Sequence, residues 1–221
     1  MKTIELNDEK SWEIMIEDPT EKTKYVFSDK VFTELETIFV IDIMNTTIDY
    51  PFLEGPFLNA PNLKELVFYG QGCRLVIQKI IENGISAPIL ESIGFDSTGM
   101  IQIPDFVFRS KMLQQLTFRN EKLSEINDDI FNLIKLERLS FQYCSNIRVV
   151  PDKIKYLINL EYFDLWGTTI EYVSSELFLL SKIKEVSFAY SSFTSTGELF
   201  EARKALKKCG ACPGWHWKSN S

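Results

Sequence analysis

The sequence has a single histidine, His216, close to its end, so the body of the chain cannot carry a histidine-based triad. It has neither a G-x-x-x-x-G-K-[ST] phosphate loop nor a G-x-G-x-x-G fingerprint, which removes the usual anchors for nucleotide chemistry. Four cysteines in 221 residues, with Cys73 and Cys144 far apart, do not make a disulfide framework. No apolar run approaches the ~18 residues of a spanning helix. Positive charge is in deficit: 24 Lys and Arg against 31 Asp and Glu leave −7, which argues against a nucleic-acid or anionic-membrane surface. The opening MKTIELNDEKSWEI has acidic residues where a signal peptide needs an apolar core, so a cytoplasmic protein is expected. A 45% hydrophobic and 25% charged composition is that of an ordinary folded, soluble chain.

Phenylalanine is abundant, at 17 residues, and its placement is periodic. The phrase LERLSFQYCSNIRV, Leu136 to Val149, has apolar residues at its first, fourth and sixth positions and recurs along the chain. Leu63, Leu90, Leu113, Leu136, Leu160 and Ile183 hold slot one, in steps of 27, 23, 23, 24 and 23 residues; a weaker unit starts at Leu35. Slot four holds Ile38, Leu66, Ile93, Leu116, Leu139, Phe163 and Val186. Slot six holds Val40, Phe68, Phe95, Phe118, Phe141, Leu165 and Phe188. Slots four and six alternate inward along a short strand, so both rows should enter one core.

A second apolar row follows each strand. Ile103, Phe106 and Val107, then Ile126, Ile130 and Leu133, then Val150, Ile154 and Leu157, then Val173, Leu177 and Leu180 belong to it. Units of about 23 residues leave room there for only a short helical or 3₁₀ turn. The longer step from Leu63 to Leu90 carries CRLVIQKIIENG, with Ile77, Ile80 and Ile81 at helical spacing and Gly84 as a stop, so an α-helix is expected in that unit.

By these residues the chain resembles the leucine-rich repeat family, whose pattern is L-x-x-L-x-L-x-x-N/C-x-L. The likeness spans roughly 35 to 193, and VVPDKIKYLINLEYFDLWGTTIEYV is similar to repeats of plant-type intracellular receptors and of short bacterial members. The resemblance implies an α/β solenoid, a horseshoe with a parallel β-sheet on its concave face, and a protein-binding role. The chain departs from the family at slot nine, where an asparagine usually stands: here it holds Gln71, Thr98, Glu121, Cys144, Thr168 and Ser191, with Glu121 expected to point outward.

Residues 1–30 do not fit the repeat. SWEIMIED and KTKYVFSD, joined by Asp18-Pro19-Thr20, read as a β-hairpin that caps the first repeat. The repeats are expected over 31–194. In 195–221, Ser195 to Glu198 opens a helix over 196–208 that closes the solenoid, followed by a tail.

The tail motif Cys209-Gly210-Ala211-Cys212 follows a helix, whereas a redox C-x-x-C opens one. With His216 it supplies three zinc ligands where a structural site takes four. A thiol-redox or metal-binding protein acting through this motif is therefore the alternative, and self-assembly through the Phe-rich or Trp-rich ends is a third reading. Asp128 and Asp129, after Asn127 as N-cap, read as first-turn residues and not as a catalytic pair. No catalytic residue, metal ligand or cofactor is assigned, and the chain is not taken for an enzyme.

The leading expectation is a monomeric interaction module that binds a protein or peptide, and neither nucleic acid nor membrane. Slots three, five, seven and eight face outward from the strands. Arg119, Arg138, Tyr143, Tyr162, Asp164, Trp166 and Tyr190 cluster there across the last four repeats, and Tyr, Trp and Arg dominate binding hot spots. Trp166, between Gln142 and Ala189 in slot seven, is expected to leave its ring open to solvent.

Overall fold

Each slot-four residue lies on a short strand, and within each unit successive strands pair in parallel one repeat apart. The structure is a computed structural model that describes residues 11–16, 36–42 and 59–188. These divide into two compact units, Gly99 and the described residues before it with Pro104–Met112, and Met100–Ile103 with the described residues from Leu113 onward.

In the first unit β1 (Ser11–Ile16), β2 (Thr37–Asp42), β3 (Glu65–Tyr69) and β4 (Ser92–Asp96) pair in sequence order, all parallel. The helix α1 (Cys73–Asn83) lies between β3 and β4 and ends at Gly84, whose φ of 79° only glycine adopts without strain. A shorter helix, α2 (Asp105–Arg109), buries Phe106 and Val107. Phe68 and Phe95 stack with centroids 5.3 Å apart, and Phe106 tilts against Phe95 at 6.5 Å.

In the second unit β5 (Gln115–Arg119), β6 (Arg138–Gln142), β8 (Tyr162–Asp164) and β10 (Glu185–Ser187) repeat the arrangement. Two-residue strands β7 (Val149–Val150) and β9 (Tyr172–Val173) form a separate parallel pair. Opposite the main strands lie 3₁₀ turns at Asp128–Asn132, Asp152–Tyr156 and Ser175–Leu179. Asn127 caps the first as expected, its side chain accepting from the Asp129 N–H at 2.8 Å. Ser174 caps the third and donates to Asp152 of the repeat before at 2.6 Å, which ties the turns together.

The slot rows hold. From Leu63 onward the slot-one, slot-four and slot-six residues are all buried, and Phe118, Phe141 and Leu165 are fully so. The result is the α/β architecture of strand-and-turn repeats read from the sequence. Among the described residues no helix is long and apolar enough to cross a membrane, and no group of three metal-ligating side chains gathers.

The strand over SWEIMI is present as a parallel neighbour of β2, with Trp12 beside Ile38 and Ile14 beside Val40, in the register of the repeats. The second half of the expected hairpin cap lies outside the described residues. One expectation is corrected: Glu121 does not point outward. It is 3% exposed, and its carboxylate accepts the Met100 N–H at 2.6 Å. A buried charge needs such a donor, and here the carboxylate does what an asparagine does at slot nine elsewhere. Thr168 performs a related task, donating its hydroxyl to the Leu165 carbonyl at 2.7 Å, whereas Gln71 is exposed and Cys73 turns inward in its unit. The C-terminal helix and the C-x-x-C tail lie outside the described residues.

Candidate functional site

The outward face of β5, β6, β8 and β10 brings six of the seven sequence-selected residues together on neighbouring repeats; Tyr190 lies outside the described residues. Its geometry follows from slot eight, the residue just past each strand. In five repeats that residue has a left-handed backbone: Gly70 at φ 90°, Ser97 at 58°, Asn120 at 53°, Tyr143 at 57° and Gly167 at 72°. The turn lets the slot-eight N–H reach the slot-seven carbonyl of the next repeat, as in Asn120 to Gln142 at 2.8 Å and Tyr143 to Trp166 at 2.7 Å. Glycine adopts this conformation freely and asparagine readily. A tyrosine there is strained, by roughly 1–2 kcal/mol.

The strained turn aims the Tyr143 ring across the next repeat, over Gly167. A Cβ on Gly167 would lie 2.5 Å from the Tyr143 Cδ1, so only glycine leaves room for the ring. The Trp166 indole N–H donates to the Tyr143 hydroxyl at 3.2 Å. Tyr143 nevertheless remains 46% exposed. Trp166 is half-buried against it, so the open ring expected from its small neighbours is corrected: β8 ends at Asp164, and Trp166 lies in the following turn. Asp164 fixes that turn. One carboxylate oxygen accepts the Trp166 N–H at 2.9 Å, and the other accepts from the Gln142 side chain.

Beside this cluster lies a cation–aromatic stack. The Arg138 guanidinium lies 4.0 Å from the Tyr162 ring centroid, and the Lys184 amine lies 5.8 Å from the same centroid. Lys184 also pairs with Glu161 at 2.5 Å, which holds its amine above the ordinary lysine range. Arg119 lies 5.8 Å from the Tyr143 ring. The Ser140 hydroxyl, between these groups on β6, is buried and has no hydrogen-bond partner.

Gln142, Gly167 and Lys184 were not among the residues selected from the sequence, yet Gln142 holds Asp164, Gly167 makes room for the Tyr143 ring and Lys184 lies near Tyr162. The signal for Gly167 was present: Gly70, Ser97, Asn120 and Gly167 form a row of turn formers at one slot. Beneath the face, Cys144 is fully buried, and loss of hydration pushes its thiol up to about 12. That places it among inert structural cysteines.

No protein-family model matches the sequence, and no curated protein matches it. Solved structures do. An internalin from Listeria monocytogenes superposes with a TM-score of 0.58 at 12% identity, over 89% of this chain and 52% of that one. The chain has the leucine-rich repeat fold. The leucine-rich repeat domain of the type III effector XopL matches with a TM-score of 0.54 at 13% identity, over 84% of this chain and 70% of that domain. A chain of the LRIM1/APL1C complex gives 0.54 at 17% identity, over 82% of this chain and 33% of its own length. This leucine-rich repeat chain thus spans about half of the internalin chain and a third of the LRIM1/APL1C chain.

Proposed function

We propose that this chain is a non-catalytic interaction module, working in the cytoplasm, that binds a protein or peptide on the outward face of β5, β6, β8 and β10. That is the face which lines a leucine-rich repeat horseshoe. The observation that carries the reading is Tyr143. Among the described residues four other repeats have Gly, Ser or Asn in this left-handed turn, and this one holds an exposed aromatic in a strained backbone. Strain kept at an exposed position is a mark of function, because nothing in the core requires it. Around it are the residue types that dominate hot spots, held in place by Asp164, Gln142 and Gly167. Of the similar structures, LRIM1/APL1C was determined as a complex, which agrees with an interaction role for the fold.

The test compares Tyr143→Asn and Trp166→Ala with the unmodified chain in affinity capture from the source cells followed by mass spectrometry. The proteins lost from both variants define the partner, and purified candidates should bind ~30-fold or more weakly to either variant, the ~2 kcal/mol of a hot spot. Equal binding by folded variants and unmodified chain would refute the assignment of this face.

A further inference from the structure

We infer that the segment bound by this face is acidic: an extended stretch whose aspartate or glutamate meets Arg138, beside an apolar side chain that meets the Tyr143–Trp166 pair. The inference rests on the binding reading above and specifies its chemistry.

Arg138 is exposed, and its guanidinium lies over the Tyr162 ring, 4.0 Å from the centroid, a contact that restrains the side chain while leaving it open to solvent. Among the described residues no carboxylate lies within ion-pair distance of it. Two nearby anions are occupied within the chain, Asp164 by Trp166 and Gln142 and Glu161 by Lys184, while Glu137, exposed and next in sequence to Arg138, also acts on Lys184. The ring of Tyr162 thus has a cation on each of two neighbouring repeats, and one of the two, Lys184, has its counter-charge. A lysine or arginine in a partner would meet this pair of like charges. A carboxylate would make two parallel hydrogen bonds with a guanidinium that loses little freedom in forming them.

Glu185 is a further exposed anion on the face. It lies two strands from Arg138, roughly 9–10 Å away at the usual strand spacing, about one screening length at physiological salt. The same screening weakens the opposition of the −7 net charge and leaves the local geometry to decide. Cations with aromatic rings also suit single-stranded nucleic acid. A backbone-tracking groove needs a longer cationic path than Arg119, Arg138 and Lys184 supply.

The test is selection of dodecapeptides from a random phage-displayed library against the whole folded chain, followed by titration of the selected peptides as synthetic probes. The expected peptides are rich in Asp or Glu next to an apolar or aromatic residue. Their affinity should fall tenfold or more in Arg138→Gln, recover in part in Arg138→Lys, and fall with added salt. Selection against Arg138→Glu should return lysine-bearing or arginine-bearing peptides instead. Peptides that need Trp166 but show no acidic bias, and bind Arg138→Gln unchanged, would overturn the inference and leave the binding face intact. Peptides that bind folded Tyr143→Asn and Trp166→Ala as well as the unmodified chain would overturn both. Oligo-dT bound through Arg138 more tightly than any selected peptide would also overturn it. Arg138 and Tyr143 are exposed and Trp166 is half-buried, and a melting curve confirms the fold of each variant before binding is read.

Discussion

Phe118 and Phe141 lie face to face at the same slot of adjacent repeats, their ring centroids 5.3 Å apart and their planes 12° from parallel. Phe163 meets Phe141 edge-on at 6.4 Å, so the rings form a continuous core along the second unit. Phe118→Ala or Phe141→Ala is expected to destabilise the chain by ~3–5 kcal/mol, through lost burial and the cavity left behind. Repeats support only their neighbours, so the damage should spread along the stack. Denaturant titration measures the loss, and hydrogen exchange of the neighbouring strands shows its reach.

Glu121 offers a sharper test of interior hydrogen bonding. Glu121→Ala leaves the Met100 N–H buried without its carboxylate acceptor and is expected to destabilise by about 1–3 kcal/mol. Glu121→Gln keeps an acceptor of the same reach and should lose less than half as much. Equal losses in urea unfolding would mean that the side chain matters only for its volume.

Gly167→Ala adds a Cβ both to a backbone at φ 72° and to the space taken by the Tyr143 ring. A loss of about 2 kcal/mol is expected, with the left-handed backbone supplying roughly half. Combined with Tyr143→Asn the loss should shrink, because the ring is gone and only the backbone strain persists. A double-mutant cycle from melting curves reads this coupling, and strict additivity would show that the two residues do not touch in solution.

Cys144 links stability to alkaline pH. Its folded value of about 12 stands above the ordinary 9.0 because burial disfavours the thiolate. Below about pH 9 the thiol is protonated in both states and contributes no pH dependence. Between about pH 9 and 12 the unfolded chain releases the proton and the folded chain keeps it, so stability falls as pH rises. The unmodified chain should therefore lose stability relative to Cys144→Ala over that window. Iodoacetamide at pH 8 should modify Cys144 only after the chain is unfolded.

The core was legible because burial on a short strand imposes a period of two and the repeat imposes one of 23 or 24, and Leu116, Phe118, Leu139 and Phe141 obey both. Glu121 was not legible. A carboxylate ordinarily lies at the surface, and the donor that admits it is a backbone N–H, that of Met100 in the repeat before, which no side-chain pattern reveals. The outward residues could be chosen by slot, but not the way they meet. The Arg138–Tyr162 stack follows from strand pairing, since the two are direct partners in the ladder. The Tyr143–Trp166 contact follows from a left-handed turn that a tyrosine conceals and the glycines of other repeats reveal. β1 was read as a cap because Glu9 stands where slot one would be, although the alternation of Trp12 and Ile14 already matched slots four and six.

The parallel register between repeats also makes the length of the chain quantised. β5 pairs with β6 through Gln115 and Arg138, and β6 with β8 through Arg138 and Tyr162, always one period on. One extra residue inside β6 would turn Leu139 and Phe141 to solvent and put Arg138 or Ser140 into the core. A duplicate of residues 136–159 placed after Asn159 would instead meet slots of its own kind on both sides, and would carry a second Arg138 and a second Tyr143. The chain can therefore grow by whole repeats, each adding a copy of the outward face, while intermediate lengths break the register.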